Sequence, residues 1–315
     1  GFKMGKMIYM DHSATTPVKK EVLDEMLPYF SEYYGNPSSI YQLSNQSKIA
    51  IDTARQRVAK ALGAKKTEIY FTGGGSESDN WAIKGIALRY MNQDKHIITT
   101  EIEHHAVLDT CKYLEKNHGF KVTYLKIKEN GIIDIEEFKS AITKDTILAS
   151  IMFANNEIGT IQPIKEIGAI CRENNIVFHT DAVQAVGNVH IDVRDMNIDM
   201  LSLSGHKIYA PKGVGALYIR NGIRLDNLIH GGGQERKKRA GTENVAGIVA
   251  LGKACEIANK GLDEHISKLT ALRDDLISRI QAVIPHTIVT GDLEKRLPSI
   301  ASFCFKFIEG EALLL

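Results

Sequence analysis

Long apolar runs are missing from this 315-residue sequence: no stretch approaches 18 uninterrupted apolar residues, so none reads as a membrane span. The opening Gly1 to Met7 also lacks the apolar core of a secretory signal, and Gly1 to Lys3, ahead of a Met, read as an added remnant. An excess of one charge is missing too. Lys and Arg number 39 against 38 Asp and Glu, a net charge of +1, which sets up no field to gather nucleic acid or an anionic membrane surface. Cysteine is scarce. The four present, Cys111, Cys171, Cys255 and Cys304, form no CxxC pair, which excludes a zinc finger and a disulfide scaffold and points to a reducing, cytoplasmic compartment. There is no internal repeat and no low-complexity tract. What remains is 43% hydrophobic and 24% charged, the balance of a folded globular chain rather than a disordered or fibrous one.

Short β-rich runs alternate with longer helical patterns, the signature of a mainly parallel sheet with crossover helices. The pattern predicts strands over 68–72, 96–100, 121–126, 147–154, 176–180, 198–203 and 215–219. Helices are predicted near 18–34, 44–62, 76–91, 105–118, 134–142, 163–174, 244–260 and 263–282. Lys260-Gly261, where one helix ends at glycine and the next begins at once, reads as the domain boundary. The expected division is a segment 1–16, a large domain 17–260 and the start of a small C-terminal α+β domain over 261–315. The alternating run Ile300 to Phe307 reads as a strand, and Glu309 to Leu315 opens an apolar helix with no C-cap, so the sequence is expected to be part of a longer protein.

Unusual residues gather just past five of these strands. Gly73-Gly74-Gly75-Ser76 follows the first and Glu101, Glu103, His104 and His105 the second. Asn155 and Asn156 follow 147–154, Asp181 and Gln184 follow 176–180, and Ser204, His206 and Lys207 follow 198–203. The carboxyl edge of an open parallel sheet is where ligands bind, so five clusters there point to one site.

Each cluster has a functional and a plainer reading. The glycine run into a helix offers free N–H groups to an anion, with Ser76 adding a hydroxyl; equally it is a flexible turn with Ser76 as a cap. It is no Walker A loop, because no Gly-Lys-Ser/Thr follows. Asp181, at the end of an apolar strand, is either an N-cap or a carboxylate that keeps a heterocyclic nitrogen protonated, as pyridoxal phosphate requires. Lys207 alone would read as a surface lysine, but at the ligand edge a lysine with a depressed pKa can form a Schiff base with a carbonyl. A metal cluster built on Glu101, Glu103, His104 and His105 is set aside, because adjacent histidines point in different directions and no third spaced ligand stands out. His104 suits stacking on a flat ring and proton transfer at neutral pH. The basic loop 234–239, between Gly231-Gly232-Gly233 and Ala240 to Asn244, is long enough without structure of its own to be a functional candidate. All four cysteines read as packed small hydrophobes.

Together these residues resemble the cysteine desulfurases of the NifS/IscS type, within the class-V aminotransferase family of fold-type I pyridoxal phosphate enzymes. The resemblance rests on nine segments in order: 11–17, 35–39, 77–80, 103–108, 155–159, 181–184, 204–207, 230–235 and 240–244. It implies an α/β fold with a seven-stranded, mainly parallel sheet flanked by helices, and conversion of L-cysteine to L-alanine with the sulfur left on an enzyme cysteine as a persulfide, bound for iron–sulfur assembly or tRNA thiolation. Lys207 would carry the cofactor and shuttle protons, and His104 would stack on the ring. Asp181 would pair with the ring nitrogen and Gln184 with the ring hydroxyl, with Asn155 near ring and substrate. Gly75, Ser76, Ser204 and His206 would bind the phosphate, joined by Thr242 from the other subunit of a homodimer. The partners implied are L-cysteine and an iron–sulfur scaffold or other sulfur-acceptor protein, with no nucleic acid and no membrane. In the resembled family the attacking cysteine and the arginine that grips the substrate lie beyond the Gly-Glu-Ala-Leu-Leu segment, so neither is expected before Leu315. Rival readings are a related lyase or aminotransferase on another amino acid, and a scaffold that binds the cofactor without catalysis.

Overall fold

Seven strands, β1 (Ile69–Thr72), β2 (His96–Thr100), β3 (Lys121–Leu125), β4 (Thr146–Ser150), β5 (Val177–Asp181), β6 (Met200–Ser204) and β7 (Gly215–Ile219), form one sheet in the order β1-β7-β6-β5-β4-β2-β3. These coordinates are a computed structural model describing residues 6–315, so Gly1 to Lys3 lie outside the described residues. Only β7 runs against its neighbours; β2 to β6 pair in parallel, and β1, antiparallel to β7, points the same way as they do.

Side-chain alternation builds a core on each face. Ile97, Met200 and Leu217 face one apolar cluster with Trp81, Ile83 and Leu114, while Ile98, Leu201 and Tyr218 face the other with Ile51, Val58 and Leu251. The helix Gly75–Tyr90 lies over β4 to β7 on the first face. On the second, Gln42–Leu62 and Val245–Lys260 pack on each other through small residues, where Gly252 meets the backbone of Ala54. Each fully buried Leu, Ile or Phe contributes about 1.5–3 kcal/mol, and with both faces covered the strands read as unbroken apolar runs.

Some elements differ from the sequence reading. The helix expected over 18–34 is two pieces, Lys20–Met26 and Pro28–Ser31, because Pro28 has no N–H to continue the first. β4 stops at Ser150, although Ile151 and Phe153 still donate to His179 and Asp181 carbonyls. Only Phe303–Phe305 of the run 300–307 is a strand (β9), paired with Thr287–Val289 (β8), which the sequence did not announce. Three consecutive non-glycine residues, Glu235, Arg236 and Lys237, adopt left-handed φ of 47°, 56° and 66° inside the basic loop.

Candidate active site

The parallel strands end along one edge, and the groups singled out in the sequence stand there. Lys207 closes a short 3₁₀ turn, Gly205–Lys207, directly after β6. Its amine is half-buried and donates to the carbonyls of Ser13 and, at 2.8 Å, Ala14. Burial lowers its pKa, partly opposed by Asp11 and Asp181, so amine and carboxylate share one electrostatic environment. Asp181 ends β5, is 7% exposed, and accepts the Val183 N–H at 3.0 Å with Oδ1.

The cradle beside them depends on missing side chains. A Cβ at Gly75 would come within 3.0 Å of Val183 Cγ2 and 3.5 Å of Ser204 Cβ; at Gly215 it would meet the Leu203 carbonyl oxygen at 2.6 Å and the Gly74 carbonyl carbon at 2.8 Å. Glycine at these two positions lets the start of the helix Gly75–Tyr90 lie against Ser204 and the Asp181 loop. The first amides of that helix have no partner within it and offer their N–H groups to an anion. Ser76 is exposed at this start, Ser204 is buried, and His206 is half-buried with Nδ1 3.0 Å from the Thr15 hydroxyl. Burial first, then Lys207 and Lys212, lower the His206 pKa and favour the neutral ring.

Other expected residues are placed with their own partners. His104 is exposed and caps the helix His105–His118, its Nδ1 accepting from the Ala106 N–H at 3.1 Å, which fixes the ring plane. Gln184 donates to the Ser13 carbonyl at 3.0 Å. Asn155 is buried; its Oδ1 accepts from Glu157 and Ile158 N–H groups at 2.8 and 2.9 Å, so this oxygen shapes the turn. Thr242 stands exposed in the 240–244 loop and is not brought to the other residues within this chain. Among the described residues no cluster of three or more metal-binding side chains exists, and no helix is long and apolar enough to cross a membrane.

Several contributors carried no role in the sequence reading. The carbonyls of Ser13 and Ala14, with the Thr15 hydroxyl, bring the N-terminal segment onto Lys207, Gln184 and His206. The basic loop is tied down by two ion pairs. Arg239 grips Glu77 in the first turn of the cradle helix, and Arg55 grips buried Glu235 at 2.7 and 2.8 Å, whose Oε2 also accepts the Phe71 N–H. Behind Asp181 lie Asp79, Glu103 and His179, all buried. A carboxylate in mid-helix or in a turn ordinarily reads as surface, so nothing in Glu77-Ser78-Asp79-Asn80 marked Asp79 as an interior group. One expectation is corrected: Cys304 is exposed, because β8 and β9 form a two-stranded sheet that leaves its side chain uncovered, whereas Cys111, Cys171 and Cys255 are buried as expected.

A half-buried amine, a buried carboxylate and an anion cradle at a helix start fit a flat ring bearing a carbonyl, a ring nitrogen and a phosphate; the close seating of the helix start on Ser204 and Val183, which a Cβ at Gly75 would disturb, is the observation that tests this fit. Residues 8–315 match the family described as aminotransferase class-V. The chain is 62% identical to a protein of Clostridium botulinum named cysteine desulfurase IscS, over 99% of this chain and 79% of that protein. Among solved structures, a NifS-like protein superposes with a TM-score of 0.93 at 42% identity, covering 97% of this chain and 84% of its own. A structure described as SspA in complex with cysteine superposes at 0.78 with 49% identity, covering 79% of this chain and 72% of that one.

Proposed function

The chain belongs to the class-V aminotransferase family and is a pyridoxal-phosphate-dependent cysteine desulfurase, and we propose that Lys207, Asp181, His104, Gln184 and the Gly75–Ser76 cradle carry its reaction. The overall change converts L-cysteine and a protein thiol to L-alanine and a protein persulfide. Pyridoxal phosphate, when bound, supplies an electron sink for the substrate Cα.

The protein's own groups do the rest. Lys207 Nζ anchors the cofactor and holds the proton taken from Cα, a task for which its lowered pKa suits it. Asp181 keeps the ring nitrogen protonated. Gln184 orients the ring hydroxyl, His104 covers the ring face, and Asn155 borders ring and substrate. Gly75, Ser76, Ser204 and His206 hold the phosphate with N–H, hydroxyl and imidazole donors, joined by Thr242 of the partner subunit in a homodimer. The exposure of Thr242 supports that assignment. The attacking thiol is none of the three buried cysteines: burial pushes Cys111 and Cys255 up to about 12 and Cys171 higher still, which keeps them protonated at neutral pH.

The SspA structure in complex with cysteine supports L-cysteine as the substrate bound at this edge. An iron–sulfur scaffold or another sulfur-acceptor protein is the proposed recipient, and four free cysteines support a cytoplasmic setting. We also propose that the large domain ends at Lys260, where Gly261 separates the helices Val245–Lys260 and Leu262–Val283. The observation that carries the proposal is the Lys207 amine, half-buried at the end of β6 in the field of Asp181. Lys207→Ala should abolish the borohydride-trappable adduct between protein and cofactor; an unchanged adduct in that variant would overturn the assignment.

A further inference from the structure

Beneath Asp181, on the side away from solvent, sits a second carboxyl. Asp79 lies in the second turn of the helix Gly75–Tyr90 and is 1% exposed. The Asp181 carboxyl and Ser202 are its polar neighbours, and Ser202 pairs with Asp181 across β5 and β6. Its Oδ1 has no hydrogen-bond partner among the described residues and lies 3.6 Å from His179 Nε2.

Nothing cationic answers these two carboxyls from below. His179 is fully buried between the hydroxyls of Ser150 (2.7 Å) and Ser202 (2.8 Å), and burial lowers its pKa to about 3, so it stays neutral. Glu103, the other titratable group near by, is itself a carboxyl, accepting from the Thr100 hydroxyl and the Met152 N–H. Two neighbouring buried carboxyls whose nearby amine, Lys207, stands on the Asp181 side are not both held ionised in a dry interior. Burial and then the Asp181 charge push Asp79 well above the usual carboxylate range. Of the two, Asp181 is the one already receiving an N–H, from Val183, and the one felt by the Lys207 amine.

We propose that Asp79 is a positioning residue that works in its protonated form, donating a hydrogen bond to Asp181 that fixes how Asp181 faces the ring nitrogen of the cofactor. This rests on the reading of Asp181 given above. A neutral donor there holds the carboxylate in place without adding a second negative charge to the site. An amide donates equally well, whereas an isosteric apolar side chain does not.

Three measurements on the purified protein, with and without pyridoxal phosphate, test this. The infrared stretch of a protonated carboxyl should be present at pH 7, disappear in Asp79→Asn, and survive in Glu103→Gln apart from that residue's own band. Asp79→Asn should keep the cofactor dissociation constant within about twofold and leave the pH midpoint of the cofactor absorbance unmoved, while Asp79→Leu should weaken cofactor binding ~10-fold or more, the loss of one hydrogen bond to a charged group. Absence of the Asp79 band, a midpoint displaced by about one pH unit in Asp79→Asn, or a leucine variant that binds like the parent would each overturn the proposal. If Asp79→Leu does not fold, the band and the asparagine midpoint decide. Parent-like cofactor binding by Asp181→Asn, with the Asp79 band still in place, would instead sink the ring-nitrogen reading and separate the two failures.

Discussion

Glu103 makes a buried carboxyl into a pH-dependent cost. Burial raises its pKa from 4.5 to about 8 despite stabilising bonds from Thr100 and Met152. The folded chain therefore binds a proton between these values that the unfolded chain has released. Stability from this group is complete below about pH 4.5 and declines as pH rises towards 8, at about 1.4 kcal/mol per pH unit. Glu103→Gln keeps the acceptor and removes the titration. Its urea midpoint should match the parent near pH 5 and exceed it near pH 8, and parallel curves for the two proteins would refute the account. The contrast with Lys207 and Asp181 shows what a sequence discloses at this scale. Those two follow apolar strands, where a charged residue is conspicuous. Asp79 and Glu103 sit among polar neighbours, in Glu77-Ser78-Asp79-Asn80 and Glu101-Ile102-Glu103-His104, and only the three-dimensional packing makes them interior groups. Cys304 errs the other way, an apolar-looking position that nothing covers.

Elements were legible wherever a side-chain period spans a whole core face. All seven strands of the main sheet overlap the β-rich runs of the sequence, though the run 147–154 overshoots β4 by four residues, because strands covered on both faces carry apolar residues along most of their length. Breaks were harder to see: Pro28 divides a helix whose apolar spacing continues across it, and β8 is too short and too exposed to leave a pattern. The contact of β7 with the cradle is likewise invisible in sequence, since Gly215 looks like any turn glycine. Its backbone neighbours cannot move aside as a side chain can. Gly215→Val should therefore cost about 1–3 kcal/mol or more in denaturant unfolding and loosen pyridoxal phosphate, because it pushes Gly74 outward. Unchanged cofactor affinity would show that β7 and the cradle are uncoupled.

At the scale of the whole molecule the question is how many chains complete one site. Phe30, Tyr34, Ile40, Tyr41 and Ile49 are exposed apolar side chains on the N-terminal helices and their connections, a surface consistent with the proposed homodimer. If Thr242 acts across it, mixing Lys207→Ala chains with Thr242→Asp chains should yield hybrids with one intact site. Each parent variant should be impaired alone, and cysteine-dependent alanine formation should reappear on mixing; no recovery would mean that Thr242 serves its own chain. The loop that carries Thr242 begins from the left-handed stretch Glu235 to Lys237, where each L-residue costs roughly 1–2 kcal/mol. That expense is met by the Arg55 clasp on Glu235 and the Phe71 amide beside it. The loop is thus spring-loaded and latched, and a charge lost at either end of the latch would unwind the segment that the proposed partner subunit would need to find in place.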